Sequence, residues 1–271
     1  MTEIKDLAIT KTEAGDNDWL ILQEASTGQT YKIKVSDFLA GLSNNNGNNN
    51  DQYASNVSLL LGIVDGSLVD LSSNGFTLTN NGASINADNQ IVSNGGTTRI
   101  TTPDDAKFYL SDDSFTAEVL AIPTTLNNDT KYFISQANNV ADNANRQFAF
   151  GINQYGVQWY WTTNGSTDQY YQFAYNFSVD TLYHVAVVRK KDTVNETNKL
   201  ACFVNGAKIG EIDHSPTYFN STASLVLLGF GNYSTDGYTN LTWQGKIKNR
   251  GLRLTKGIAR YSSNFTSPTT F

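Results

Sequence analysis

Beyond residue 42 no stretch of this chain carries a helical period of useful length, and its apolar residues recur at every second position instead. The sharpest case is LACFVNGAKIG, Leu200 to Gly210. An Asn-Gly pair between two alternating apolar runs is the strongest short-range hairpin signal, because both turn residues must accept positive φ. The same grammar runs through the chain: aromatics, Val, Ile and Thr in short runs, then Asn, Gly and Ser where the backbone must turn. The expectation is an antiparallel all-β protein with many loops. At 271 residues it can bury a full core, since a β-sandwich of about 200–250 residues forms one domain.

Net charge is −6, so the molecule as a whole repels nucleic acid and anionic lipid, and neither is expected as a partner. The lone cysteine, Cys202, lies in an apolar run and reads as a small buried thiol that forms no intrachain disulfide. The opening MTEIKDLAIT has neither a basic nor an apolar leader region, so a signal peptide is not expected. No apolar run reaches the roughly 18 residues of a membrane-spanning helix. Sequons at Asn56, Asn128, Asn164, Asn176, Asn195, Asn220, Asn232, Asn240 and Asn264 are read as products of an Asn-, Ser- and Thr-rich composition.

The chain divides by pattern. Residues 1–42 hold two strand-like runs, Trp19 to Gln23 and Tyr31 to Val35, around the turn-rich EASTGQT. Ser36 then opens a short helical stretch, SDFLAGL, with Gly41 placed as its C-cap. So small a module cannot cover Trp19, Ile21, Ile33 and Val35 by itself, which assigns it to oligomerisation or attachment. Residues 43–52, SNNNGNNNDQ, contain no apolar side chain and form the linker. The span IKDLAITKTEAGDNDWLILQEASTGQTYKIKVSDFL resembles the short N-terminal modules of phage tail-fibre proteins. That resemblance implies other virion or tail proteins as partners, a homotrimer, and a place on the particle.

Residues 53–271 resemble the laminin-G/concanavalin A-like lectin domains of phage and bacterial surface proteins. The closing WQGKIKNRGLRLTKGIARYSSNFTSPTTF, Trp243 to Phe271, carries the family's "R-L-T-K-G-x-A-R-Y" followed by "N-F-T-x-P". Leu59, Leu60 and Leu61, then Asp70, Ser72, Asn74 and Gly75, fill the opening pattern, with Gly62-Ile63-Val64 where an aromatic is usual. Asp113, Phe115, Thr116 and Glu118 match a "D-F-T-x-E" strand, with Leu120 in place of Trp. Tyr183, His184, Val185, Val187 and Arg189 match "W-x-H-V-A-x-x-R", and LACFVNG the hairpin beyond it. The resemblance implies a two-sheet jelly-roll sandwich, and recognition of a surface rather than catalysis.

Candidate chemistry is thin. Glu211-Ile212-Asp213 begins like the E-x-D-x-x-E run of glucanases of this fold, but the fifth position is Pro216, so a two-carboxylate mechanism lacks its partner. His184 and His214 stand in no zinc-binding spacing, and there is no nucleophile elbow or phosphate-binding loop. No enzyme and no cofactor are expected. Related laminin-G domains hold Ca²⁺ in rim loops, where Asp112, Asp113, Asp168 and Asp236 could serve, although no ligand spacing supports them. The basic residues Lys246, Lys248, Arg250, Arg253, Lys256 and Arg260 read as a solvated strand face.

The aromatics suit sugar, whose apolar ring faces pack on aromatic rings while the hydroxyls need amide and carboxylate partners. In QWYWTTNGSTDQYYQFAY, alternation puts Trp159 and Trp161 on one strand face and Tyr160 on the other, and a polar loop returns into Tyr170 and Tyr171. The long loop from Gly231 to Asn240 adds Asn232, Tyr233, Asp236 and Tyr238. These eight residues, Tyr160 apart, are the candidate glycan contacts. The expected role is a phage or phage-like tail fibre that binds neutral or weakly basic host-surface polysaccharide in a salt-resistant way. The alternative is a structural virion protein, a capsid decoration or fibre subunit, that touches only protein neighbours.

Overall fold

Strand β1 (Trp19–Gln23) pairs antiparallel with β2 (Thr30–Lys34), setting Trp19 opposite Lys34 and Gln23 opposite Thr30. The computed structural model describes residues 19–23, 30–34, 51–137, 145–192, 198–231 and 239–271. The side chains of Trp19, Ile21 and Ile33, all of Val35, and the helical stretch expected from Ser36 lie outside the described residues. The chain separates into two units, 1–52 and 53–271.

The second unit is built from strands. In chain order they are β3 (Val57–Val64), β4 (Ser67–Asp70), β5 (Thr79–Asn81), β6 (Ser84–Ile85), β7 (Gln90–Asn94) and β8 (Arg99–Thr102). Then come β9 (Phe115–Pro123), β10 (Lys131–Ala137), β11 (Arg146–Asn153), β12 (Gly156–Trp161) and β13 (Gln169–Ala174). The remainder are β14 (Tyr183–Lys190), β15 (Lys199–Val204), β16 (Ala207–Asp213), β17 (Leu225–Leu227) and β18 (Gln244–Lys256). One sheet runs β13-β12-β11-β10-β17-β8-β5 and the other β16-β15-β14-β9-β18-β3-β4, with β7 beside the first half of β18 and β6 beyond it. Every strand pair is antiparallel. This is the all-β, two-sheet jelly-roll sandwich expected from the sequence.

The core lies between the sheets. From one side come Leu59 and Leu61 of β3, Val119 of β9, and Ile247, Leu252 and Leu254 of β18; from the other come Phe133, Phe148, Phe150 and Trp159. Trp159 is stacked between Phe115 at 4.8 Å and Phe148 at 5.5 Å. Cys202 is buried in the same core, and burial raises its thiol well above the ordinary range, so it packs as a small hydrophobe. The β15–β16 turn has the positive φ pair that its Asn-Gly predicts, 50° at Asn205 and 80° at Gly206. A Cβ on Gly206 would sit 2.0 Å from the carbonyl oxygen of Phe265.

The sequence motifs meet on the outer side of the β18 sheet. Glu118 of β9 accepts from Arg253 Nε at 2.9 Å and from the Tyr261 hydroxyl at 2.8 Å, and lies 3.0 Å from His184 Nε2. Arg260 Nε stands 3.7 Å away. Arg253 is almost fully buried, its guanidinium 4.4 Å from the Phe271 ring, so the solvated-face reading of the basic run is corrected at Arg253, while Lys246, Lys248, Arg250 and Lys256 stay partly exposed. The C-terminal tail, with Tyr261 stacked on Phe265, helps close this ion cluster from water. Asp70 organises the opposite end of the motif set: its carboxylate accepts from the backbone of Leu60, Ser72 and Phe76, each at 3.0 Å.

Candidate functional site

Alternation along β12 assigns its two faces to two tasks. Trp159 is wholly buried and Trp161 only 8% exposed, both facing the sandwich interior. As sugar contacts these two are corrected: rings closed between two sheets offer no face to a ligand. Tyr171, paired across the strands with Trp159, packs edge-on against Phe173 at 4.8 Å and is 39% exposed at the sheet margin. The opposite face of β12 carries Gln158 and Tyr160, which pair with Gln172 and Tyr170 of β13. Tyr170 is 65% exposed.

This outer face has its own order. The Tyr160 hydroxyl donates to Asp168 Oδ1, and the same oxygen takes Arg146 Nη2 at 2.9 Å. The Tyr132 hydroxyl of β10 donates to Gln158 Oε1, and Asn153 Nδ2 donates to Gln172 Oε1 at 3.1 Å. Phe230 packs on both tyrosines, at 5.0 Å from Tyr132 and 5.3 Å from Tyr160. Burial and the hydrogen bond to Asp168 push the Tyr160 hydroxyl above its ordinary pKa, and burial and the Asp168 charge do the same for Tyr132. Both therefore remain protonated donors throughout the neutral range.

The loop that delivers Asp168 is held by its own side chains. Asn164 Oδ1 accepts from the backbone of Ser166 at 3.0 Å and Thr167 at 2.8 Å, the turn chemistry that Asn favours. Gly165, at φ 81°, donates its N–H to Thr162 Oγ1 at 3.0 Å. Asp168 is thus presented half-exposed, with Oδ1 taken by Tyr160 and Arg146, two residues before the exposed Tyr170. A carboxylate edge can accept two adjacent hydroxyls, and a tyrosine face can receive an apolar ring surface.

Asn232, Tyr233, Asp236 and Tyr238 lie outside the described residues, although Phe230 at the start of their loop belongs to this outer face. The other rim acids are engaged with bases: Asp112 with Lys191 at 2.5 Å and Asp113 with Lys256 at 3.9 Å. No three His, Cys, Asp or Glu side chains gather as a metal site among the described residues. On the edge strand β16, Glu211 pairs with Lys208 at 2.7 Å and Asp213 with Lys199. The sequence reading missed Asp168, considered only as a calcium ligand, and Tyr132, Gln158 and Gln172. Gln158 and Gln172 could have been found from alternation with Tyr160 and Tyr170; Tyr132 sits on a strand whose neighbours only the fold reveals.

The Laminin_G_3 family model, described as the concanavalin A-like lectin/glucanases superfamily, matches residues 94–250, more than half of the chain. The chain belongs to this superfamily. The match does not extend to residues 1–42, whose likeness to tail-fibre modules it leaves without support. No curated protein matches the sequence. Among solved structures, the lectin-like fold is similar to the binding domain of Paraclostridial Mosquitocidal Protein 1, at TM-score 0.55 and 16% identity, covering 76% of this chain and 50% of that one. It is also similar to the binding domain of botulinum neurotoxin DC, solved in complex with rat synaptotagmin II (TM-score 0.54, 13% identity, 76% and 49% coverage). The same domain in complex with SialylT gives TM-score 0.55 at 12% identity, with 76% and 50% coverage. This chain spans about half the length of these domains, which come from clostridial toxins and not from phage particles. At such identities the likeness is one of fold.

Proposed function

We propose that this chain is a non-enzymatic surface-recognition protein whose β-sandwich binds a neutral glycan on the outer face of β11–β13. The observation that carries the reading is the exposed Tyr170 ring on the face where half-exposed Asp168 is held by Tyr160 and Arg146. The Gln158 and Gln172 amides extend the same face. Membership of a lectin superfamily, and the use of this fold in toxin binding domains solved with partners, support it. A flat face buries only part of a sugar, so affinity per site is weak and useful binding needs several copies acting together. The Arg146–Asp168 pair and the overall negative charge leave no counterion-driven attraction, so binding resists salt.

The particle reading rests on the N-terminal resemblance: a phage or phage-like tail fibre, anchored and trimerised through residues 1–42. A glycan array with the full chain tests the first proposal, with Tyr170→Ala and the Tyr233→Ala/Tyr238→Ala double variant alongside. Loss only in the first places contact on the β12–β13 face; loss only in the second moves it to the 231–240 loop. No binding to any glycan returns the structural virion protein as the better reading. Sedimentation of the full chain tests the trimer, and a monomer refutes it.

A further inference from the structure

At the far end of the sandwich from the Asn205-Gly206 turn, Arg189 of β14 is fully buried. Its Nη1 donates to the carbonyl of Ser111 at 3.2 Å, and its guanidinium lies 5.2 Å from the Tyr218 ring. Among the described residues, its Nε and Nη2 have no hydrogen-bond partner. Those two groups form one edge of the planar guanidinium, the fork that receives an anion side-on. An arginine does not escape burial by losing its proton. Asp112 and Asp113 act on its charge without hydrogen-bonding to it, Asp112 being paired with Lys191 and Asp113 lying 3.9 Å from Lys256.

Among the described residues, further buried donors here have no partner. Gln147 spends its Oε1 on the N–H of Leu110, the residue before Ser111, and its buried Nε2 has no partner. Trp161, one residue from the backbone bond that joins Thr162 to Gln147, has an unpartnered buried Nε1. The Ser111 carbonyl already takes two donors, Arg189 Nη1 and the Tyr218 N–H at 2.8 Å. The Tyr218 hydroxyl takes Trp159 Nε1 at 2.9 Å and faces His214 Nε2 at 2.5 Å. A water on this edge of Arg189 would bring two further hydrogens that need acceptors of their own. An anion brings none and also compensates the buried charge.

We propose that the Nε–Nη2 edge of Arg189 holds a small monovalent anion, such as a halide, inside the sandwich. The site is structural, lies on the opposite side of β12 from the glycan face, and does not depend on the glycan reading. Thermal unfolding of the full chain in sodium chloride and in sodium gluconate at equal ionic strength tests it, because gluconate is too large for a closed site. The melting temperature should climb with chloride concentration and stay flat with gluconate, as expected for a ligand that binds only the folded state. Arg189→Lys keeps the charge but removes the fork, and should abolish the difference. Should that variant fail to fold, crystals of the parent protein grown in bromide decide the matter: an anomalous peak on the Nε–Nη2 edge supports the site. A bromide-free edge, or a chloride response that survives in Arg189→Lys, overturns it.

Discussion

Glu118 and Arg253 meet 2.8 Å apart on the outer side of one sheet, although 135 residues separate them in the chain. Arg253 belongs to the closing RLTKGIARY and Glu118 to the SFTAE strand, and β9 and β18 are adjacent, with these two residues directly paired. The contact ties the last strand and the C-terminal tail to the middle of the sheet. Breaking a buried pair by removing one partner costs about 3–5 kcal/mol. Glu118→Gln should therefore lower the stability measured by denaturant unfolding by that order; a loss below about 1 kcal/mol, the ceiling for an exposed pair, would sink the argument.

The same carboxyl sets an acid limit. Burial pushes its pKa up, but the charge of Arg253, the bond and charge of His184, and Arg260 outweigh this and leave it at about 2, against an ordinary 4.5. Between those values the unfolded chain binds the extra proton, so this contribution is present above pH 4.5 and lost as pH falls toward 2. Melting curves of the parent should drop through this window, and those of Glu118→Gln should drop less.

His214 acts in a higher window. Burial, and then the charge of Arg189, lower its pKa from 6.5 to about 3. Below pH 6.5 the unfolded histidine charges while the folded one stays neutral, so stability declines as pH falls from 6.5 toward 3. His214→Gln should flatten the slope between pH 6.5 and 4.5, before Glu118 begins to titrate. An unchanged slope would show that His214 is not the group responsible.

The two faces of β12 should separate binding from stability. Tyr170→Ala removes an exposed ring, so the melting temperature should hold, with a stability change within about 0.5 kcal/mol. Glycan affinity should fall several-fold, the scale of one aromatic contact worth about 0.5–1.5 kcal/mol. Trp159→Ala empties a fully buried site and should cost about 3–5 kcal/mol. Equal melting losses in the two variants would contradict the assignment of faces.

Removing the chain from Gly245 onward should abolish soluble folding. It deletes Ile247, Leu252 and Leu254 from the core and leaves β3 and β9 without the strand between them. Each large apolar loss costs about 2–5 kcal/mol, against a total of about 5–15. A truncated chain that unfolds cooperatively in calorimetry would refute this.

The sequence by itself determined the antiparallel class, the Asn205-Gly206 turn and the separation of Trp159 and Trp161 from Tyr160. These follow from local physics: a period of two, and a turn that needs two residues at positive φ. Alternation cannot say which face of a strand meets the second sheet, because both faces of β12 are aromatic. Packing decided that, burying the tryptophans and leaving Tyr170 exposed and Asp168 half-exposed. The basic C-terminal run looked solvated for a similar reason. A charge reads as exposed until its partner is known, and the partner of Arg253 and Arg260 is a carboxylate more than a hundred residues away that only the tertiary structure brings beneath them.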